Sequence, residues 1–173
     1  MRQVLYFAYG SNLLKSRIKI NNPSATLKDI GRIEDYRLDF VGYSNLWKGS
    51  PATIVETKNY HVWGAIWELN VDDIKHLDKQ ETDYHAFQVD VVNPDGKIYN
   101  CRVYQQIKCP EDNVKLENLP EIRRPALTYL KIIIKGALDC KLPNYYIDII
   151  RKIKHNEFMD ENSIIGKELQ HVL

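Results

Sequence analysis

The sequence predicts an α+β fold in which a curled sheet or small barrel has helices packed against it. Segments with the pattern of strands lie mostly in the first 105 residues, and segments with the pattern of helices mostly follow. The chain has 173 residues, of which 44% are hydrophobic and 27% charged, so it can bury the core of one domain. We expect this domain to span residues 1–156 and a polar tail to span residues 157–173.

Six segments have the composition or alternation of β-strands. The first, residues 3–9, is rich in Val, Tyr and Phe and ends at Gly10. The others are residues 32–41, 52–56, 62–69, 87–92 and 97–104. Between the last two, the sequence Asn-Pro-Asp-Gly at residues 93–96 predicts a hairpin turn.

Four segments have the start signals or periodicity of helices. They are residues 11–20, 72–79, 125–140 and a last, long helix after Leu142-Pro143. Ser11 and Asn12 offer caps for the first, and Pro125 suits the first position of the third. The apolar period of the last helix predicts a buried face made of Tyr146, Ile149, Ile150 and Ile153.

The composition argues against several classes of partner. The 24 basic and 23 acidic residues leave a net charge of +1, whereas a nucleic-acid-binding surface usually shows a stronger basic bias. The longest apolar stretch, around Ile132–Ile134, is far shorter than the ~20 residues that span a bilayer. We therefore expect neither a nucleic acid nor a membrane as partner.

The cysteines and the first residues predict a cytoplasmic location. Cys101, Cys109 and Cys140 are odd in number and have no CxxC spacing, which favours free thiols in a reducing compartment. Neither they nor the five histidines have the spacing of metal ligands, so we expect no metal. Residues 1–10 lack the long apolar region of a signal peptide.

The junction between the first strand and the first helix is a candidate binding site. Backbone N–H groups at such a helix start are free to bind a carboxylate or phosphate, and Gly10 permits close approach. Ser11 can cap the helix or contact a ligand, and the sequence favours neither. The sequence Ala-Tyr-Gly-Ser-Asn is not the GxSxG of a nucleophile elbow, so we do not expect Ser11 to be a nucleophile.

Three carboxylates, Asp78, Glu81 and Asp83, follow one another at the predicted end of the short helix. The partial negative charge of a helix C-terminus raises the pKa of a nearby carboxyl group, which would make a usable general base near neutral pH. The alternative is a solvated acidic helix end, and spacing alone favours that alternative.

Two segments taken together resemble the gamma-glutamylcyclotransferase family. They are LYFAYGSNL at residues 5–13 and LDKQE at residues 77–81, and the likeness extends over about residues 4–155. The YGSN segment alone is shared by several related groups. The pair of segments is more specific and resembles the branch that acts on gamma-glutamyl amino acids.

The resemblance implies a small mixed β-barrel flanked by helices, in a cytoplasmic enzyme that is often a homodimer and uses no cofactor. It implies conversion of an L-gamma-glutamyl amino acid into 5-oxoproline and a free amino acid. The family's catalytic glutamate falls on Glu81. Its substrate-binding residues fall on Tyr6, Ala8, Tyr9, Gly10, Ser11 and Tyr129. Thr82-Asp83 departs from the usual family sequence, and both Tyr84 and Phe87 compete for the place of a family tyrosine.

Two alternatives stay open at this point. The first is a neighbouring cyclotransferase that acts on gamma-glutamyl amines or on glutathione, since these enzymes share a similar loop and a glutamate. The second is a non-catalytic protein that binds a gamma-glutamyl compound or 5-oxoproline.

Overall fold

A closed barrel of five strands forms the centre of the protein, in a computed structural model that describes residues 2–160. The strands are β1 (Gln3–Ala8), β2 (Thr26–Phe40), β3 (Ala52–Asn70), β4 (Tyr84–Val92) and β5 (Ile98–Gln106). They neighbour one another in the order β1-β3-β2-β4-β5, and β5 returns to β1. The β1–β5 pairing is parallel, whereas the other pairings around the described barrel are antiparallel. The predicted mixed barrel is thus confirmed.

Two predicted strands, residues 52–56 and 62–69, are one strand in the structure. The polar residues between them look like a break in the sequence, yet β3 stays paired with β2 through a register shift between Glu34 and Tyr36. Asp35 and Asn59 both have positive φ at this shift, and the Asn59 N–H donates to the Asp35 carboxylate at 3.0 Å. β2 also begins at Thr26, six residues before the predicted start.

Within residues 2–160, four α-helices accompany the barrel. They are α1 (Lys15–Asn21), α2 (Val71–Gln80), α3 (Leu127–Asp139) and α4 (Asn144–Arg151). The prediction of one helix over residues 11–20 was wrong, because Ser11–Leu13 form a single 3₁₀ turn and the backbone of Leu14 is extended. This break allows Leu13 and Leu14, which follow one another, both to be buried.

The 3₁₀ turn is fixed by close packing against α3. A Cβ atom at Gly136 would lie 2.6 Å from backbone atoms of both Leu13 and Leu14, so only glycine permits this approach. The indole N–H of Trp67 in β3 also donates to the Asn12 carbonyl at 2.9 Å. The turn that follows β1 is therefore held from two sides.

The last helix is shorter than predicted and buries fewer of its isoleucines. Tyr146 and Ile150 are buried in α4, and Ile153 is buried just beyond its end. Ile149 is 46% exposed, so its assignment to the buried face was wrong. One residue corresponds to about 100° of helix rotation, which turns Ile149 away from the face that Ile150 occupies.

The described part of the predicted tail, residues 157–160, is hydrogen-bonded to the start of α3. The Thr128 N–H donates to the Phe158 carbonyl at 3.1 Å, and the Asp160 N–H donates to the Thr128 hydroxyl at 2.6 Å. The rest of that tail, residues 161–173, lies outside the described residues. Between residues 2 and 160, the helices are all too short or too polar to cross a bilayer.

Candidate active site

A cavity of about 770 Å³ opens at the end of the barrel where β1 and β5 both finish. Because these two strands are parallel, their last residues lie side by side, and the Tyr9 hydroxyl donates to the Tyr104 carbonyl at 2.6 Å. The 3₁₀ turn, the end of α2, the start of α3 and the segments at residues 41–47 and 107–108 form the rest of the wall. Glu81, Arg17 and Tyr129 all line this cavity.

Glu81 is the residue that directly follows α2, and its N–H still donates to the Leu77 carbonyl at 3.0 Å. The side chain is largely removed from water, and this burial raises the pKa of Glu81 to about 7. The positive charge of Arg17 acts in the opposite direction and lowers that pKa. The sequence predicts the direction of this shift, but its main cause is burial rather than the end of the helix.

Asp78 behaves differently from Glu81, although both belong to the predicted carboxylate cluster. Burial raises the pKa of Asp78, but hydrogen bonds from Tyr104 and Arg102 outweigh it and lower the pKa overall. The Tyr104 hydroxyl donates to Asp78 at 2.6 Å and the Arg102 guanidinium at 2.8 Å. Asp78 therefore joins α2 to β5 as an ionised group, one turn before Glu81.

Three tyrosine hydroxyls of the cavity already donate their protons to the protein. Tyr9 donates to the Tyr104 carbonyl, and Tyr104 in turn donates to Asp78. Tyr84 donates to the Ala52 carbonyl at 2.7 Å. The rings of these residues shape the cavity, but their hydroxyl protons are not available to a ligand in this arrangement.

Tyr6 and Tyr129 have the opposite arrangement, because their hydroxyl oxygens accept hydrogen bonds. The Asn12 side-chain amide donates to Tyr6 at 3.1 Å, and the Ala52 N–H donates to Tyr129 at 3.0 Å. Burial, with a further contribution from the charge of Glu81, raises the pKa of both tyrosines above the usual value. Both therefore stay neutral and keep a proton with which to bind a ligand.

Gly10 and Ser11 line the cavity, and their backbone N–H groups donate to no other residue between 2 and 160. The Ser11 side chain caps neither the 3₁₀ turn nor α1, so the structure does not bear out the capping alternative. The three-residue turn has only a small dipole, so the argument from the helix dipole does not apply here.

The structure shows where Ala8 lies and which of Tyr84 and Phe87, both left open by the sequence, lines the cavity. Ala8 does not line the cavity: it is buried in the barrel wall, paired with Ala65, and its carbonyl lies against Gly64. The methyl group of Ala8 is too short to reach the cavity, unlike the ring of Tyr6 on the same strand face. Tyr84 rather than Phe87 lines the cavity, since Phe87 stacks on Tyr36 at 6.2 Å.

Arg17 and Trp47 are cavity residues that sequence reasoning missed. The Arg17 guanidinium lies 5.3 Å from the centre of the Trp47 ring, which lies 4.9 Å from the ring of Tyr129. In the sequence, a single arginine in a predicted helix resembles a solvated residue. Only its position, six residues after Ser11, indicates that Arg17 lies near the cavity. Over residues 2–160, no three His, Cys, Asp or Glu side chains group as metal ligands would.

Comparison with known proteins shows which family the chain belongs to. The model of the AIG2-like family matches residues 61–150. The gamma-glutamylcyclotransferase of Bos taurus is 34% identical over 98% of this chain and 87% of its own, and that of Homo sapiens is 33% identical over the same shares. A solved structure of a gamma-glutamyl cyclotransferase superposes with a TM-score of 0.84 at 32% identity, covering 97% of this chain and 98% of that one. Identity of this size over nearly the whole length shows that the chain belongs to the gamma-glutamylcyclotransferase family.

Proposed function

We propose that the protein converts an L-gamma-glutamyl amino acid into 5-oxoproline and the free amino acid. The observation that carries this proposal is a largely buried carboxyl group, Glu81, in a cavity that also offers unused hydrogen-bond donors. This burial raises the pKa of Glu81 to about 7. The bovine, mouse and human relatives are all named gamma-glutamylcyclotransferase, which supports the same reaction here.

The substrate of this reaction carries its own nucleophile. Its α-amine attacks the δ-carbonyl carbon, a new C–N bond closes a five-membered ring, and the C–N bond to the departing amino acid breaks. The cavity has to hold the substrate in the folded conformer that brings these atoms together. Well-oriented intramolecular reactions gain about 7–11 kcal/mol from such positioning.

Glu81 acts as the base and then as the acid in this proposal. Most α-amines are protonated at neutral pH, so attack requires that one proton be removed. A carboxylate with a pKa of about 7 can accept that proton from the amine and return it to the departing nitrogen. The second proton that the attacking nitrogen loses as the lactam forms ends on the released amine, which leaves as an ammonium group. The protein therefore ends the cycle in the protonation state in which it began.

The unused donors are suited to the negative charge that develops on the δ-carbonyl oxygen. The hydroxyl groups of Tyr6 and Tyr129 and the N–H groups of Gly10 and Ser11 provide four such donors. Losing one donor to an oxyanion typically costs about 2.7–4 kcal/mol of transition-state stabilisation. In this proposal Tyr9 binds substrate through its ring, since its hydroxyl proton is already used.

The resemblance to the family also supports a cytoplasmic homodimer that works without a cofactor. The three cysteines are free thiols, which agrees with a reducing compartment. Size-exclusion chromatography with light scattering would test the dimer, and a monomer at micromolar concentration would contradict that part of the proposal.

The experiment that tests the reaction is release of 5-oxoproline from gamma-L-glutamyl-L-alanine by the native protein and by Glu81→Gln. Glutamine keeps the size of the side chain but removes the base, so we expect turnover by the native protein only. Asp72→Asn is the matched control, because Asp72 is an exposed carboxylate at the opposite end of α2. A fully active Glu81→Gln variant would contradict the assignment. Parallel assays with glutathione and gamma-glutamyl-ε-lysine would distinguish the neighbouring activities.

A further inference from the structure

Arg17 is a partly buried cation without an ionic partner in the part of the chain that the structure describes. Its guanidinium is packed over Trp47 at the cavity wall, and it forms no ion pair with any residue between 2 and 160. The Nε–H group is buried and has no hydrogen-bond acceptor. Burial lowers the pKa of Arg17, and the charge of Glu81 only partly compensates. An anion bound in the cavity would supply the missing partner.

Asn12 offers the complementary feature on the same cavity. Its Oδ1 atom is buried and accepts no hydrogen bond, while its amide nitrogen is held by donating to Tyr6. The described residues contain four such unpartnered buried side-chain atoms, and those of Asn12 and Arg17 both belong to cavity residues. Leaving a buried polar group unpaired costs about 1–3 kcal/mol, so both atoms favour a ligand that pairs with them.

Arg17 offers a positively charged donor, which matches the α-carboxylate of an amino acid. Asn12 and Glu81 offer acceptors, which match its α-ammonium group. In a gamma-glutamyl compound, the α-amine and the α-carboxylate share one carbon atom. If the amine faces Glu81, the carboxylate lies within a few ångströms of that amine, in the cavity that Arg17 also lines. Both groups can then be paired at once.

We propose that Arg17 binds the α-carboxylate of the gamma-glutamyl group and thereby selects substrates that carry this carboxylate. This inference rests on the proposed function and names the residue that fixes the orientation of the substrate. A carboxylate anchored on Arg17 directs the α-amine toward Glu81 and Asn12 and leaves the δ-carbonyl for the tyrosine hydroxyls.

The test compares two substrates that differ only at this carboxylate. One is gamma-L-glutamyl-L-alanine, and the other is the analogue in which the α-carboxylate is a carboxamide. Hydrogen bonds to charged groups contribute enough for the native protein to favour the carboxylate roughly 10- to 100-fold in kcat/KM. Arg17→Gln should lose that factor on the carboxylate substrate and little on the carboxamide. Arg17→Lys, which keeps the charge, should retain part of the preference.

Arg32→Gln is the matched control. Arg32 also lies over a tryptophan ring, 5.8 Å from the centre of Trp63, but it does not line the cavity. The control should keep the native preference, and the melting temperatures of all variants show whether each is folded. If kcat/KM falls equally on both substrates in folded Arg17→Gln, the role of Arg17 is overturned, while the proposed function stands. Failure of the native protein to form 5-oxoproline would instead overturn the proposed function, and this inference with it.

Discussion

The Ala52 N–H donates to the hydroxyl oxygen of Tyr129 at 3.0 Å, and this one contact determines what the Tyr129 hydroxyl can offer. The oxygen is occupied as an acceptor, so the remaining proton is free for a ligand. The Ala52 carbonyl is held at the same time by the Tyr84 hydroxyl at 2.7 Å. One residue of β3, Ala52, therefore fixes two tyrosines with opposite hydrogen-bonding roles.

Tyr129→Phe should lower kcat far more than Tyr84→Phe. The first change removes a donor to the proposed oxyanion, which typically costs roughly 100- to 1,000-fold. The second removes a proton that is already used within the protein. Because one ordinary hydrogen bond contributes little, we expect kcat to fall by less than about tenfold. Steady-state kinetics on gamma-L-glutamyl-L-alanine measures both, and equal losses would contradict the division of roles.

The pH dependence of activity should follow the ionisation of Glu81. Its burial raises the pKa to about 7, and the proposed base must be ionised before it can accept a proton. We therefore expect kcat/KM to be constant well above pH 7 and to fall about tenfold per pH unit well below it. A profile that stays flat down to pH 5 would show that the base is another group.

The same pKa predicts that Glu81→Gln stabilises the protein at alkaline pH. A carboxyl group whose pKa is higher in the folded than in the unfolded state favours folding when protonated, and this contribution is lost as pH rises through about 7. By pH 8 the ionised side chain should cost roughly 3 kcal/mol. Glutamine carries no charge, so denaturation should show a gain at pH 8 that disappears near pH 4. The same difference in stability between the variant and the native protein at pH 8 and at pH 4 would contradict this prediction.

The features that the sequence predicts correctly depend on residues close together in the chain. The hairpin at residues 93–96 requires the positive φ that Gly96 adopts, and α2 ends at Gln80 close to its predicted end. Glu81 and the segment around Gly10 were found because their motifs are contiguous. The contact between Arg17 and Trp47 joins residues 30 positions apart on separate elements, so no local pattern predicts it.

The break in the helix predicted over residues 11–20 has the same origin. Ser11 and the apolar residues that follow satisfy the local rules for a helix, but the packing of Gly136 against Leu13 and Leu14 decides the backbone there. Intrinsic helix propensity is a weak effect that tertiary contacts commonly override. The fold class was therefore predictable, whereas the exact shape of the turn beside the cavity was not.

Gly136→Ala should test whether that packing also supports the site. The new Cβ would lie 2.6 Å from backbone atoms of the turn, and overpacking of this kind costs about 1–3 kcal/mol. Because the displaced turn includes Ser11, we expect kcat/KM to fall together with the melting temperature. Leu138→Ala, at an exposed position on the same helix, is the control and should change neither strongly. A fully stable and active Gly136→Ala protein would show that the turn tolerates displacement.

The side chains at the mouth of the cavity indicate which leaving amino acid the protein prefers in its gamma-glutamyl substrate. Tyr43, Leu46 and Ile107 line it as exposed apolar side chains, so an apolar leaving amino acid would cover surface that is otherwise in contact with water. Partial burial of a leucine side chain contributes about 1 kcal/mol, or roughly fivefold in kcat/KM for gamma-glutamyl-leucine over gamma-glutamyl-aspartate. Leu46→Ser should reduce this preference, whereas Ile122→Ser, exposed but outside the cavity, should keep it. An unchanged preference in Leu46→Ser would mean that the leaving amino acid does not contact Leu46.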